Sequence, residues 1–169
     1  MNQRRILGWF RERGSTSKRM VEVMTLQFEG KVAFITGAAR GQGRSHAVRL
    51  AEEGADIIAF DLCDQIDSVA YPMATREDLD ETVNLVEKTG RRIVAEEGDV
   101  RDFGRLKAAV DSGVGELGRV DFVLANAGIL PAFADKRNEM ESFVDAIDVL
   151  LSGVYYTVEA ALPALLAHG

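Results

Sequence analysis

The chain has 169 residues, a hydrophobic fraction of 47% and a net charge of −7, which fits one globular domain. The negative charge argues against nucleic acid and anionic membranes as partners, and no apolar run approaches the ~20 residues of a membrane-spanning helix. A single cysteine, Cys63, excludes an internal disulfide and is typical of a cytoplasmic protein, and two distant histidines predict no metal site.

The first segment of the chain, residues 1–23, differs in charge from the rest. It carries a net charge of +4, which leaves −11 for the remainder. A basic, acid-poor opening is typical of a transit peptide. The alternative, which is favoured, is an extension that precedes a true start at Met20 or Met24, and such an extension is expected to be poorly ordered.

The segment 31–53 predicts a strand, a glycine turn and a helix. The apolar run Val32–Ile35 is typical of a buried parallel strand. The turn contains Gly37, Gly41 and Gly43. Residues 44–53 then follow helical spacing, in which Arg44 is expected to face outward.

This arrangement indicates phosphate binding. A helix N-terminus leaves N–H groups unpaired and carries about half a positive charge, and glycines let a pyrophosphate approach it. The alternative is an ordinary glycine-rich turn. A second predicted strand, 55–60, ends in Asp61, eighteen residues beyond Gly43. A dinucleotide-binding fold places a carboxylate there for the ribose hydroxyls, which favours dinucleotide binding.

The remainder of the chain continues the alternation of strands and helices. An acidic, irregular connection covers residues 62–80. Thr75 and Asp78 predict the start of a helix that runs to about residue 89. The later predicted elements are a strand at 92–96, a helix at about 103–117 that buries Phe103, Leu106, Val110 and Val114, a strand at 120–125, and a helix from about Met140 to residue 167. This order predicts a parallel sheet with right-handed crossovers.

Three motifs resemble the short-chain dehydrogenase/reductase family. Residues 36–43 have the spacing Thr-Gly-x-x-x-Gly-x-Gly, Asn126-Ala-Gly128 matches a second hallmark, and Asp99-Val100 matches the family's adenine-contacting pair. The resemblance covers about residues 26–168. Within the family, residues 40–46 and the long segment 61–75 resemble the mycofactocin-associated, carveol-dehydrogenase-like subset.

The resemblance implies an α/β fold of the Rossmann type, with α/β/α layers around a parallel sheet, truncated after about four strands and the following helix. Residues 24–31 are similar to the start of family members. This similarity favours an extension over residues 1–23 and a partial NAD-binding domain over residues 24–169.

NAD is the implied cofactor, and Asp61 favours it over NADP because a carboxylate repels a 2′-phosphate. The predicted cofactor-binding residues are Gly37, Ala39, Arg40, Gly41, Gln42, Gly43, Asp61, Leu62, Asp99, Val100, Asn126, Ala127 and Gly128. The segment 62–80 is either a solvated acidic surface or, as the resemblance implies, an excursion beside the adenosine half of the cofactor.

The family's chemistry is hydride transfer to or from the carbonyl carbon of a small alcohol or carbonyl substrate. The resemblance implies a serine, a tyrosine and lysine spaced Tyr-x-x-x-Lys, and an asparagine. Tyr71, Tyr155 and Tyr156 have no lysine four residues later, and Leu150 aligns with the asparagine. No catalytic residue is therefore predicted.

Two hypotheses for the function remain. The chain is the NAD-binding part of an oxidoreductase, which is favoured, or it is a non-catalytic nucleotide-binding or dimerisation module. Self-association, or a complementing chain of the same family, is expected in either case, because the fourth strand and the last helix present apolar surface.

Overall fold

A four-stranded sheet and five helices make up the described part of the chain, which in this computed structural model is residues 26–130 and 139–167. The predicted extension over residues 1–23 lies outside the described residues. The strands are β1 (Val32–Thr36), β2 (Asp56–Asp61), β3 (Ile93–Glu97) and β4 (Phe122–Leu124). The helices are α1 (Gly41–Glu52), α2 (Arg76–Glu87), α3 (Phe103–Leu117), α4 (Glu139–Ile147) and α5 (Gly153–Leu166). A π-helical segment, Asp148–Ser152, joins the last two helices.

All four strands are parallel and lie in the order β3-β2-β1-β4. β1 is central, with Ala33 opposite Ile57 of β2 and opposite Phe122 of β4. The chain moves outward from β1 to β3 and then returns to the other side of β1 with β4. In open α/β sheets, ligands bind at this change of direction, outside the carboxyl ends of the strands.

Two hydrophobic clusters fill the space between the sheet and its helices. Ala33 and Ile35 of β1 pack in a cluster that includes residues of α1 and α2. Val32 and Phe34 belong to a second cluster, which includes residues of α3 and α5. The two sets alternate along β1, as the two-residue period of a strand requires. The predicted Rossmann-type α/β/α arrangement is confirmed.

Local signals set the ends of two helices where the sequence predicts them. α2 begins with a reciprocal capping box between Thr75 and Asp78. Asp102 caps the start of α3 with a side chain that accepts the N–H of Arg105, and Gly118, with φ at 91°, follows its last residue. A left-handed residue at that position is the usual end of a helix.

β4 is shorter than the predicted 120–125, and the residue before it, Asp121, is bonded to β1 through both its backbone and its side chain. The Asp121 carboxylate accepts the N–H of Val32 at 2.9 Å and also binds Lys31 and Arg119. The Asp121 N–H donates to the carbonyl oxygen of Val32 at 2.8 Å, and regular strand pairing covers Phe122–Leu124.

The predicted burial of Phe103 is wrong, since its side chain is 45% exposed. Phe103 is the first residue of α3. Its ring lies edge-on to Tyr156 of α5, with centroids 6.0 Å apart, and not beneath the helix.

The α4–α5 helix is unbroken at Pro163 and is apolar on both sides. Its buried residues are small or medium in size and include Gly153, Thr157, Ala160 and Ala161. Leu150, Leu151, Val154, Val158 and Leu166 are exposed. The stretch Glu139–Leu166 has the length and hydropathy of a membrane-spanning helix, contrary to the sequence-based expectation, but a helix packed on a soluble core meets the same criteria.

A buried carboxylate anchors the amino end of β2. Asp56 accepts the N–H of Arg92 at 3.0 Å and pairs with the guanidinium groups of Arg91 and Arg92, each at 2.8 Å. Burial alone raises the pKa of this carboxyl, but the hydrogen bonds from Arg92 and the charges of both arginines outweigh burial and hold the pKa below its ordinary value.

Asp56 is therefore expected to stabilise the fold at neutral pH and to lose this effect in acid. Its folded pKa lies below the ordinary value of 3.8, so its contribution is complete above that pH and is lost as the pH falls through the folded pKa. Asp56→Asn should lower the free energy of unfolding at pH 7 by about 2 kcal/mol, through the loss of charged hydrogen bonds. The variant should also show a weaker loss of stability in urea titrations between pH 7 and pH 3.

Asp111→Asn is the matched control. Its exposed pair with Lys107 on α3 is worth only about 0.5 kcal/mol. Equal effects of the two substitutions at pH 7 would contradict the assigned role of Asp56.

Candidate dinucleotide-binding site

A cleft of about 350 Å³ opens at the carboxyl ends of the strands. Eleven of the thirteen predicted site residues line it: Gly37, Arg40, Gly41, Gln42, Asp61, Leu62, Asp99, Val100, Asn126, Ala127 and Gly128. The other two, Ala39 and Gly43, are buried behind the cleft wall. The structure thus brings together residues as distant in the sequence as Gly37 and Gly128.

Glycine is required at two positions of the turn between β1 and α1. Gly37 has φ at 68°, and a Cβ added there would lie 2.7 Å from the Cα of Ala127. A Cβ on Gly43 would lie 2.0 Å from the carbonyl oxygen of Gly37. Backbone meets backbone at both places, so α1 begins directly behind the turn.

Asn126 ties the turn to β4. Its amide Nδ2 donates to the carbonyl oxygens of Thr36 and Gly37, at 3.0 and 3.2 Å. The N–H of Ala127 donates to Thr36 Oγ1 at 3.3 Å. These bonds hold the ends of the two central strands in one geometry, whereas an Asn-Ala-Gly turn alone would leave them independent.

The N-terminus of α1 faces the cleft without a side-chain cap. Its N-cap residue, Arg40, has an extended backbone and makes no capping hydrogen bond. Gly41 and Gln42, the first two helical residues, line the cleft. The first-turn N–H groups and the positive end of the helix dipole are therefore directed at a space that an anion can enter.

The Asp61 carboxylate lies at the end of β2 and is oriented by two backbone donors. Oδ2 accepts the N–H of Ala39 at 2.8 Å, and Oδ1 accepts the N–H of Cys63 at 3.3 Å. A carboxylate has about four acceptor sites, so each oxygen can still accept a hydroxyl from the cleft.

Cys63 has φ at 54°, in the left-handed region. Burial first, and then the charges of Asp61 and Glu97, raise the pKa of its thiol to about 12. A neutral, half-buried thiol packs well and is a poor nucleophile.

The segment 62–74 forms part of the cleft wall, and its details are missed from the sequence. The Gln65 amide donates to the carbonyl oxygens of Ile66 and Val69 and accepts the N–H of Met73. The Tyr71 hydroxyl accepts the N–H of Leu130, from the loop after β4, at 3.0 Å. The segment therefore contributes apolar residues such as Ile66 and Met73 to the cleft. Its acidic residues Asp64 and Asp67 are exposed to solvent.

Other lining residues, which are not among the predicted cofactor-binding residues, are Ile66, Tyr71, Met73, Ala74, Gly98, Ile129 and Val149. Leu150, aligned with the family asparagine, packs against Gly128: a Cβ on that glycine would lie 3.1 Å from Leu150 Cδ2. The described residues contain no group of three acidic, histidine or cysteine side chains able to hold a metal ion.

Arg44 does not face outward as expected. Its guanidinium turns back under the glycine turn and donates to the carbonyl oxygen of Ala39 at 2.6 Å. The same Nη2 atom donates to the backbone oxygen of Asp78 in α2 at 2.7 Å.

Comparisons with known proteins find similar sequences and similar structures. A family model described as short chain dehydrogenase matches residues 31–169. A (−)-trans-carveol dehydrogenase of Rhodococcus erythropolis is 47% identical over 140 residues, which are 82% of this chain and 50% of that protein.

Two solved structures are also similar. A carveol dehydrogenase from Mycobacterium avium in complex with NAD is 54% identical with a TM-score of 0.77, over 83% of this chain and 51% of that one. A short chain dehydrogenase from Mycobacterium paratuberculosis bound to NAD is 50% identical with a TM-score of 0.80, over 84% and 53%. The chain spans about half the length of these relatives.

The close backbone approach at Gly43 predicts a large effect of one added methyl group. Gly43→Ala should lower the free energy of unfolding by about 3 kcal/mol or more, because the new Cβ collides with the carbonyl of Gly37. Gly115→Ala in α3 is the control. Its Cβ would meet nothing within 4 Å, and alanine there should stabilise the helix by about 0.5–1 kcal/mol. Denaturant unfolding of both variants measures the difference, and similar destabilisation by both would refute it.

Proposed function

The chain belongs to the short-chain dehydrogenase family, and on that premise we propose that residues 24–169 form the NAD-binding part of an oxidoreductase. The oxidoreductase would transfer hydride between NAD and a small alcohol or carbonyl compound. Carveol dehydrogenases among the relatives support a cyclic alcohol as the substrate class.

One observation carries the proposal: the Asp61 carboxylate and the uncapped N-terminus of α1 lie on the same cleft, joined through the Ala39 N–H. The carboxylate suits ribose hydroxyls, and the helix end suits a pyrophosphate. The backbone contacts at Gly37 and Gly43 place the start of α1 directly at the cleft. The residues present therefore fit a dinucleotide.

In this proposal, different residues of the cleft bind different parts of the cofactor. The first-turn N–H groups of α1 bind the pyrophosphate, and Asp61 accepts the hydroxyls of the adenosine ribose. Asp99 and Val100 would contact the adenine, as the family resemblance implies, and residues 126–128 would contact the nicotinamide half. The bound NAD supplies the acceptor or donor of the hydride.

Proton transfer to or from the substrate oxygen has no candidate in these 169 residues. They contain no Tyr-x-x-x-Lys sequence, and the leucine at position 150 cannot hydrogen-bond a relay water. We therefore propose that catalysis needs groups beyond these residues. The cytoplasmic location expected from the lone Cys63 remains a prediction.

A second candidate function is a nucleotide-binding module that associates through α4–α5. The exposed apolar side chains on this helix favour it, with Leu151 at 64% and Leu166 at 72% exposure. β4 also has a strand neighbour on one side only among the described residues. Dehydrogenase turnover after addition of a chain that supplies the missing catalytic residues would favour the oxidoreductase over the module.

NAD should bind more tightly than NADP, by about tenfold or more, because the Asp61 carboxylate repels a 2′-phosphate. Calorimetric titration measures the ratio, and tighter binding of NADP would contradict the prediction. Asp61→Ala should reduce the ratio of NAD affinity to NADP affinity. Asp61→Asn removes the charge but keeps an acceptor for the Ala39 N–H, so it distinguishes the effect of the charge from the effect of the hydrogen bond to the turn. Asp67→Ala, at an exposed position outside the cleft, is the control and should leave the ratio unchanged.

The 169-residue chain alone should show no measurable dehydrogenase activity. Loss of a general acid–base group typically costs about 10²–10⁴-fold, and the serine is missing as well. Leu150→Asn should not restore turnover. Substrate-dependent NADH formation by the pure chain, absent from a Gly41→Asp control whose carboxylate blocks the helix N-terminus, would show that this reasoning is wrong.

The 169-residue chain should also self-associate at tens of micromolar, because contiguous exposed apolar surface seldom persists on a soluble monomer. Leu151→Lys combined with Leu166→Lys should shift the sedimentation velocity profile toward monomer. Asn84→Lys on the exposed side of α2 is the control for added charge. A monomeric parent chain would argue against this association.

A further inference from the structure

Side chains from α1 and α2 bind the carbonyl groups of the glycine turn. Thr82 Oγ1 lies 3.1 Å from the carbonyl oxygen of Ala38 and 2.9 Å from that of Ala39. Arg44 Nε and Nη2 donate to the same Ala39 oxygen at 3.0 and 2.6 Å. Ala38 and Ala39 are fully buried, so these carbonyls have no access to water in place of the side-chain donors.

The N–H groups of the same two residues are bound from the other side, by β2. Ala38 donates to the carbonyl oxygen of Phe60 at 3.3 Å, and Ala39 donates to Asp61 Oδ2 at 2.8 Å. The N–H group and the carbonyl group of both Ala38 and Ala39 are therefore hydrogen-bonded at the same time. Rotation of either carbonyl toward the cleft would break several buried hydrogen bonds.

The geometry at Arg44 depends on the shape of its guanidinium. While Nε and Nη2 both reach Ala39, Nε also donates to Thr82 Oγ1 at 3.0 Å and Nη2 donates to the backbone oxygen of Asp78 at 2.7 Å. A lysine has a single nitrogen and cannot reproduce this fork. Thr82 is fully buried, and its hydroxyl is satisfied by accepting from Arg44 and donating to the turn.

We infer that Arg44 and Thr82 are positioning residues of the dinucleotide site. They hold the carbonyls of Ala38 and Ala39 toward α2, which leaves the N-terminus of α1 preorganised to receive a diphosphate. Neither residue lines the cleft, so both act through the turn. The inference rests on the proposed function, because it requires a diphosphate at α1.

The test compares two probes, ADP-ribose with its diphosphate and adenosine without one, by calorimetry and ligand-observed NMR. Thr82→Val removes the hydroxyl at nearly constant volume, and Arg44→Lys keeps the charge but loses the fork. Each should raise the Kd of ADP-ribose about tenfold, the usual effect of one lost buried hydrogen bond. The Kd of adenosine should not change. Thr82→Ser, which keeps the hydroxyl, should restore the wild-type value.

Arg49→Lys is the control on the same helix, since its side chain is 69% exposed and pairs with Glu52 and Glu53 of the same turn. It should alter neither Kd. Unchanged ADP-ribose affinity in folded Arg44→Lys and Thr82→Val, or equal loss for both probes, would overturn the inference and leave the proposed function standing. If Thr82→Val does not fold, the Kd values of Arg44→Lys for the two probes test the inference. Failure of the wild-type chain to bind ADP-ribose would overturn both.

Discussion

The contact of backbone with backbone at the end of β1 is the constraint on which the rest of the structure depends. A Cβ on Gly43 would lie 2.0 Å from the carbonyl oxygen of Gly37, and one on Gly37 would lie 2.7 Å from the Cα of Ala127. These approaches let α1 start directly behind the turn and let the loop after β4 close beside it. The Asn126 amide then fixes both carbonyl groups at the junction. One geometric condition therefore brings the end of β1, the start of α1 and the loop after β4 together at the floor of the cleft.

Electrostatics then determine what the cleft accepts. The N-terminus of α1 supplies unpaired N–H groups and partial positive charge at its centre, and Asp61 supplies an oriented carboxylate at one end. Both depend on the same peptide, because the Ala39 N–H binds Asp61 and the Ala39 carbonyl binds Arg44 and Thr82. Asp61 also accepts the N–H of Cys63, so its carboxylate keeps a second support, whereas the diphosphate position at α1 depends on the turn.

The α4–α5 helix has apolar residues both on its buried side and on its exposed side. Gly153 and the small side chain of Ala160 allow the helix to pack closely, and a Cβ on Gly153 would lie 2.7 Å from Val100 Cγ2, in the loop after β3. Close packing on that side leaves the larger leucine and valine side chains exposed. The π-helical segment Asp148–Ser152 places Leu150 against Gly128. The helix therefore completes the cleft with one side and leaves an apolar surface on another.

The sequence by itself determines the features that depend on neighbouring residues. The period of the apolar residues, the capping box at Thr75, the end of α3 at Gly118 and the position of Asp61 after β2 are all local, and the structure agrees with each. Tertiary structure alone decides the inward turn of Arg44, the exposure of Phe103, the hydrogen bonds of Gln65 and the shortening of β4. Those features depend on groups from distant segments, such as Asp78 for Arg44 and Tyr156 for Phe103, and no periodic pattern encodes which distant groups will meet.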